Sequence, residues 1–100
     1  QETGKIKEVM DLGDVVAKWK AFGWNVIEIN GHDMEKVVKA LDNASENKNG
    51  KPTMIISNTI KGKGVSFMEL NHKFHGKAPN DEEYKKAMDE LENIDVKTFK

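Results

Sequence analysis

The 100-residue sequence predicts an α/β fold, a fragment of a parallel-sheet domain made of a helix, a strand-helix-strand crossover, a loop and a C-terminal helix. Three observations carry that prediction. Met54, Ile55 and Ile56 form a short continuous apolar run between Pro52 and Ser57, the pattern of a strand covered on both faces of a parallel sheet. Residues 24–29 concentrate aromatic and β-branched side chains in Trp24, Val26, Ile27 and Ile29, as strands do. Between these runs Met34, Val37, Val38 and Leu41 recur at helical spacing, so a helix joins two strands that then run parallel.

Taken in order, residues 1–10 are weakly patterned and read as the continuation of a domain already under way. Asp11 is the predicted cap of a first helix on which Leu12, Val15, Val16 and Trp19 share a face, extended by Phe22 and ended by Gly23. The first strand follows, interrupted by Asn25 and Glu28 and therefore less buried than the second. Asn30-Gly31-His32-Asp33 turns the chain into the next helix, capped by Asp33 and running out in the polar residues 43–50. The crossover is right-handed, and the strand at Met54 takes a central place in its sheet. Two parallel strands alone make no stable sheet, so further strands must come from elsewhere. Residues 65–70 suit either an edge strand or a packed loop. Asn80 and Glu83 have the spacing of a capping box for the last helix, whose first turn is acidic and whose buried face is Tyr84, Ala87, Met88 and Leu91. Residues 94–100 are predicted to be loosely held.

Length and composition limit what such a chain does. One hundred residues with 37% hydrophobic content make one small domain with a thin core, which favours association with something larger. Charged residues reach 33% but nearly cancel, leaving a formal net charge of -1, so no global field draws the chain to nucleic acid or to an acidic membrane. There is no cysteine, hence no disulfide and no thiolate chemistry, which fits the cytoplasm. No apolar run approaches the roughly 18 to 20 residues that span a bilayer, and the polar start lacks a signal-peptide core; a soluble protein is expected.

Candidate chemistry gathers in residues 53–79. After the second strand comes Thr59-Ile60-Lys61-Gly62-Lys63-Gly64, where glycines permit close backbone approach and two ammonium groups supply positive charge. Ligands of open α/β sheets bind at the carboxyl ends of strands, which suits a phosphate corner; a plain surface turn explains the same residues. A dinucleotide fingerprint fails because Phe67 stands where its third glycine belongs, and a Walker loop fails for want of a Gly-Lys-Ser/Thr triplet. His72 and His75, three apart, invite a metal reading, yet no companion carboxylate or cysteine stands at ligand spacing and no metal ligand is assigned. His75, between Phe74 and Gly76, suits a hydrogen-bond donor or proton shuttle as well as a solvated loop residue. His32 reads as a turn residue beside the Asp33 cap, and Trp19 and Trp24 as core or interface residues.

Several ordered motifs together resemble transketolase: Trp19, Phe22-Gly23-Trp24, Asn30-Gly31-His32-Asp33, Lys51-Pro52-Thr53, the run from Thr59 to Glu69, and Phe74-His75-Gly76-Lys77-Ala78-Pro79-Asn80. The likeness is to the N-terminal subunit of split bacterial and archaeal transketolases, and it makes residues 1–100 the C-terminal segment of a thiamine-diphosphate-binding domain. The resemblance implies transfer of a two-carbon ketol unit from a ketose phosphate to an aldose phosphate, in the carbohydrate metabolism of the pentose phosphate pathway. It implies thiamine diphosphate and Mg2+ as cofactors, and an oligomer in which a pyrimidine-binding subunit or domain completes the site. The lysine that approaches the cofactor falls on Lys61. The histidine that meets both diphosphate and sugar, and acts catalytically, falls fourteen positions later on His75.

The departures are specific. The family's Gly-Asp-Gly and asparagine motif for metal and diphosphate is absent and expected upstream of Gln1; the glutamate that activates the aminopyrimidine is absent too, and Asn30 replaces the commoner aspartate. No turnover is expected from this chain alone. The rival from another class is a non-catalytic binding or assembly module that keeps the fold without the cofactor.

Overall fold

The computed structural model describes residues 2–100. Its elements are α1 (Ile6–Val9), α2 (Val15–Ala21), β1 (Asn25–Asn30), α3 (Met34–Glu46), β2 (Thr53–Asn58), a short 3-10 helix (His72–Phe74) and α4 (Asp81–Glu92). The class is α/β, as the sequence predicts. The chain divides into two compact units, Gly13–Thr59 with Lys100, and Ile60–Phe99 with the described residues up to Leu12.

The first unit is the crossover. β1 and β2 pair in parallel, with Asn25 opposite Thr53, Ile27 opposite Ile55, and Asn30 opposite Asn58; α2 and α3 both pack on β1. Helix α2 begins later than predicted. Its cap is Asp14, which accepts a hydrogen bond from the Ala17 amide at 2.9 Å, and Leu12 lies outside it. Gly13 explains the shift: its φ of +65° is left-handed, so a right-handed helix starts only after it. At the other end the Gly23 amide donates to the Lys20 carbonyl and the Trp24 amide to that of Trp19, a Schellman closure with Gly23 at φ +87°. That closure withholds Trp24 from the strand, which begins one residue later than predicted. It stacks the indoles of Trp19 and Trp24 edge to face, 4.8 Å between centroids. Phe22 does not extend the buried face; it caps the helix and is 80% exposed.

Two further expectations need correction. β2 does not lie between two strands among the described residues: its only partner there is β1, and its apolar run is half-buried. Helix α3 is capped by Asp33 as predicted, but its inward face is Val37, Ala40 and Ala44, with Ala40 only 2% exposed. Met34, Val38 and Leu41 point outward, Met34 being 67% exposed. Alanines have no bulk to hold the helix off the sheet, so the small side chains take the contact that periodicity assigns to the large ones.

The second unit has no sheet among its described residues. Of the two readings of residues 65–70 the packed loop holds: they form successive turns and no strand, and Val65 is buried at 6% exposure. α4 carries the full capping box: the Glu83 amide donates to Asn80 Oδ1 at 2.8 Å, and the Asn80 amide to Glu83 Oε2 at 2.9 Å. Its inward face, however, runs through Glu83, Ala87 and Glu90. Of the predicted face only Ala87 is buried; Tyr84, Met88 and Leu91 are exposed. The helix is turned by its polar bonds rather than by its large apolar side chains. Nor is the tail loosely held throughout, since Ile94 and Phe99 are half-buried and close against Gly64.

Candidate functional site

Both strands end in asparagine, and the two carboxyl-end turns are built differently. After β1, the Gly31 amide donates to the Asn58 carbonyl at 2.8 Å, and the His32 amide donates to Asn30 Oδ1 at 2.9 Å. A Cβ at Gly31 would overlap Ser57 Oγ and lie 2.6 Å from Thr59 Cγ2. Asp33 is buried, caps α3 and pairs with Lys100 at 3.5 Å. The Asn30-Gly31-His32-Asp33 turn is thus accounted for by close packing and capping. Next to it, α2 and the two strands line an open cleft of 460 Å³ bearing Asp14, Glu28 and Asn58, in which Glu28 accepts from the Asn58 amide group at 2.9 Å.

The turn carrying Lys61 is closed by its own backbone. The Leu70 amide donates to the Lys61 carbonyl at 2.9 Å, the Val65 amide to Gly62, and the Met68 amide to Val65. Gly62 has φ +72°, and a Cβ there would lie 2.5 Å from the Met68 carbonyl oxygen; only glycine fits. Side chains add to this. Glu69 accepts from the Gly64 amide at 3.0 Å, and Glu90 of α4 accepts from both the amide and the hydroxyl of Ser66, each at 2.6 Å. Hydrogen bonds from the Ser66 hydroxyl and then its amide hold the Glu90 carboxyl below its ordinary value; burial opposes this and Lys86 adds to it.

The two lysines of the turn differ. Lys63 lays its ammonium over the Phe99 ring, 5.7 Å from the centroid. Lys61 is half-buried and has no ion pair among the described residues. One ammonium is therefore committed to packing and one is available to an anion.

His75 follows the 3-10 helix, and its amide donates to the His72 carbonyl at 3.0 Å. Its side chain is exposed, as is that of His72. Lys61 and His75 fall in one unit, and two contacts join their stretches. Phe67 and Phe74 meet at 5.7 Å between centroids. Asn71 ties the turn to the helix: its amide donates to Met68 O, its Nδ2 to Phe67 O, and its Oδ1 accepts from the Lys73 amide. Lys77 then sits 5.1 Å from the Phe74 centroid and 3.9 Å from Glu83 at the start of α4.

Sequence reasoning missed Ser66, Asn71 and Glu90. Asn71 before a three-residue turn carried a legible capping signal, whereas Glu90, 24 residues from Ser66, carried none. As for the cofactors, an ammonium on a glycine turn with no ion pair among the described residues suits a diphosphate. Among the described residues no group of three or more His, Cys, Asp or Glu side chains gathers to hold a cation, so the metal implied by the resemblance has no ligand cluster here. No helix among them is long and apolar enough to cross a membrane.

Comparison with known proteins bears on the chain as a whole. The family model described as the thiamine diphosphate binding domain of transketolase matches residues 3–100. The chain is 42% identical, over 91% of its length, to one of the subunits of an apulose-4-phosphate transketolase from Phocaeicola vulgatus, covering 32% of that protein. It is 42% identical, over 92% of its length, to a 6-deoxy-6-sulfo-D-fructose transketolase subunit from a Clostridium species, covering 33% of it. A Sinorhizobium medicae transketolase is 38% identical over 76% of the chain and 11% of its own length. The chain spans about a third of the length of the subunit relatives.

Proposed function

This chain belongs to the family of transketolase thiamine diphosphate-binding domains, and on that premise we propose that it is the C-terminal segment of the cofactor-binding subunit of a two-component transketolase. Its partner in this reading is a pyrimidine-binding subunit, in keeping with relatives that are themselves named as single subunits of a transketolase, and the assembly is cytoplasmic and oligomeric. The reaction is transfer of a two-carbon ketol unit between sugars. The names of two relatives, one specifying a sugar phosphate and one a sulfo sugar, point to an anionic sugar as the substrate class. Mg2+ would find its ligands outside residues 2–100.

Thiamine diphosphate, when bound, supplies the nucleophilic carbon and the electron sink. Lys61 offsets diphosphate charge. His75, beyond the Phe67–Phe74 contact, donates to the diphosphate and moves the proton of a substrate hydroxyl, as a neutral-pH acid-base group can. The observation that supports this reading best is the contrast within the turn: a half-buried Lys61 with no ion pair among the described residues, next to a Lys63 spent on Phe99.

The test is His75→Ala in a complete cofactor-binding subunit that carries this segment, reconstituted with its partner. General acid-base help is worth about 10²- to 10⁴-fold in rate, so kcat falls by that order even at saturating thiamine diphosphate, while His72→Ala changes little. Full kcat in His75→Ala, or a larger loss in His72→Ala, would overturn the assignment. Lys61→Ala should instead raise the cofactor concentration needed for half activity.

A further inference from the structure

Glu90 grips the basic turn of the second unit at two points. It is half-buried on the inward face of α4, and each of its oxygens takes one donor from Ser66, Oε2 from the amide and Oε1 from the hydroxyl, both at 2.6 Å. Bonds to an ionised acceptor are the stronger kind, and a bidentate grip fixes orientation as well as distance. Ser66 is one residue from buried Val65, whose amide donates to Gly62, and Gly62 is next to Lys61. Holding Ser66 therefore holds the closed side of the loop on which Lys61 is mounted.

We infer that Glu90 is a positioning residue for cofactor binding: by clamping Ser66 it keeps the Lys61 turn in the shape that meets a diphosphate. This rests on the cofactor reading of Lys61 given above. A turn left free to open binds the same anion less well, because the ordering cost then falls on the binding step. Glu69 holds Gly64 but only through one bond from within the loop, so it cannot replace an anchor supplied by a separate helix.

Inorganic pyrophosphate is the probe, titrated into a complete cofactor-binding subunit that carries this segment and followed by the amide NMR signals of Lys61 to Ser66; amide exchange is measured on the same samples. Glu90→Ala should speed exchange at Ser66 and weaken pyrophosphate about two- to tenfold. On a Lys61→Ala background it should weaken it no further, which a general loss of stability would not reproduce. Ser66→Ala, milder because the amide bond remains, should show the same pattern to a lesser degree, and Ser66→Thr should behave as the native chain. Unchanged Ser66 exchange in both Glu90→Ala and Ser66→Ala overturns the clamp. Faster exchange with unaltered pyrophosphate affinity, where Lys61→Ala does weaken binding, overturns the positioning role. If Lys61→Ala binds pyrophosphate as the native chain does, the cofactor reading of Lys61 itself falls and takes the positioning role with it.

Discussion

From Gly13 to Thr59 the chain is held by repetition, and from Ile60 to Phe99 by individual side-chain bonds. The crossover has a continuous parallel register and a helix seated on alanine. The second unit, without a sheet among its described residues, closes its loop by a backbone bond from Leu70 back to Lys61 with short turn bonds inside it, two glycines with positive φ, and the carboxylates of Glu69 and Glu90. Repetitive structure spreads its stability over many equivalent bonds. A singular loop concentrates it, and so fixes one geometry at the cost of tolerance.

The sharpest way to break that contrast is at glycine. Gly62→Ala must escape both a left-handed φ and the Met68 backbone, and should cost about 3 kcal/mol or more. Gly50→Ala has a similar φ with nothing within 4 Å and should cost only about 1 to 2 kcal/mol. Chemical denaturation of both variants measures the difference, and equal losses would deny the loop its special status. Next comes Asn80→Ala, which removes half of a complete capping box and should destabilise by about 1 kcal/mol, seen as faster exchange confined to the first turn of α4.

Acid should separate the units more gently. Glu90 has its carboxyl lowered from 4.5 by Ser66, so its contribution is present above that value and is lost as pH falls through the lower folded value. Lys86 on the same helix favours the charged form, while Asp89 and Glu69 line a shallow cleft together with Glu90, Gly64 and Ser66. Ser66 exchange, corrected for its intrinsic pH dependence, should therefore rise below pH 4.5 before the β1–β2 ladder opens; simultaneous loss would contradict it. The smallest effect is expected at α3: Leu41→Gln alters an exposed position and should shift stability by no more than about 0.5 kcal/mol, checked by the denaturation midpoint of the chain.

Legibility in the sequence followed the range of each signal along the chain and not the division into units. The crossover, its strands, the Asp33 cap and the Asn80–Glu83 box could be read because each rests on short-range periodicity or on a spacing of three. Helix rotation could not: large apolar residues in α3 and α4 set a face on paper, while Ala40 in α3 and the polar bonds of Glu83 and Glu90 on either side of Ala87 in α4 set it in the fold. The start of α2 was misplaced because Asp11 and Asp14 are equal as caps until the φ of Gly13 decides between them. From the residues alone Lys61 could be read only as part of a basic glycine turn and His75 only as a loop histidine, each with a plain surface alternative; the roles proposed for them come from the family likeness. Glu90 was invisible altogether, because its partner is remote along the chain.

Asn71 makes the stretch between Lys61 and His75 a ruler rather than a tether. One side chain and its amide register the end of the turn against the start of the 3-10 helix, so the fourteen-residue interval is counted out by bonds and not merely spanned. A residue inserted between Gly62 and Asn71 could not be absorbed as slack; it would put the Leu70–Lys61 closure and the Asn71 ties out of step with each other. Loop length here behaves as a specification, and grafts that exchange this segment should be cut before Ile60 and after Pro79 rather than within it.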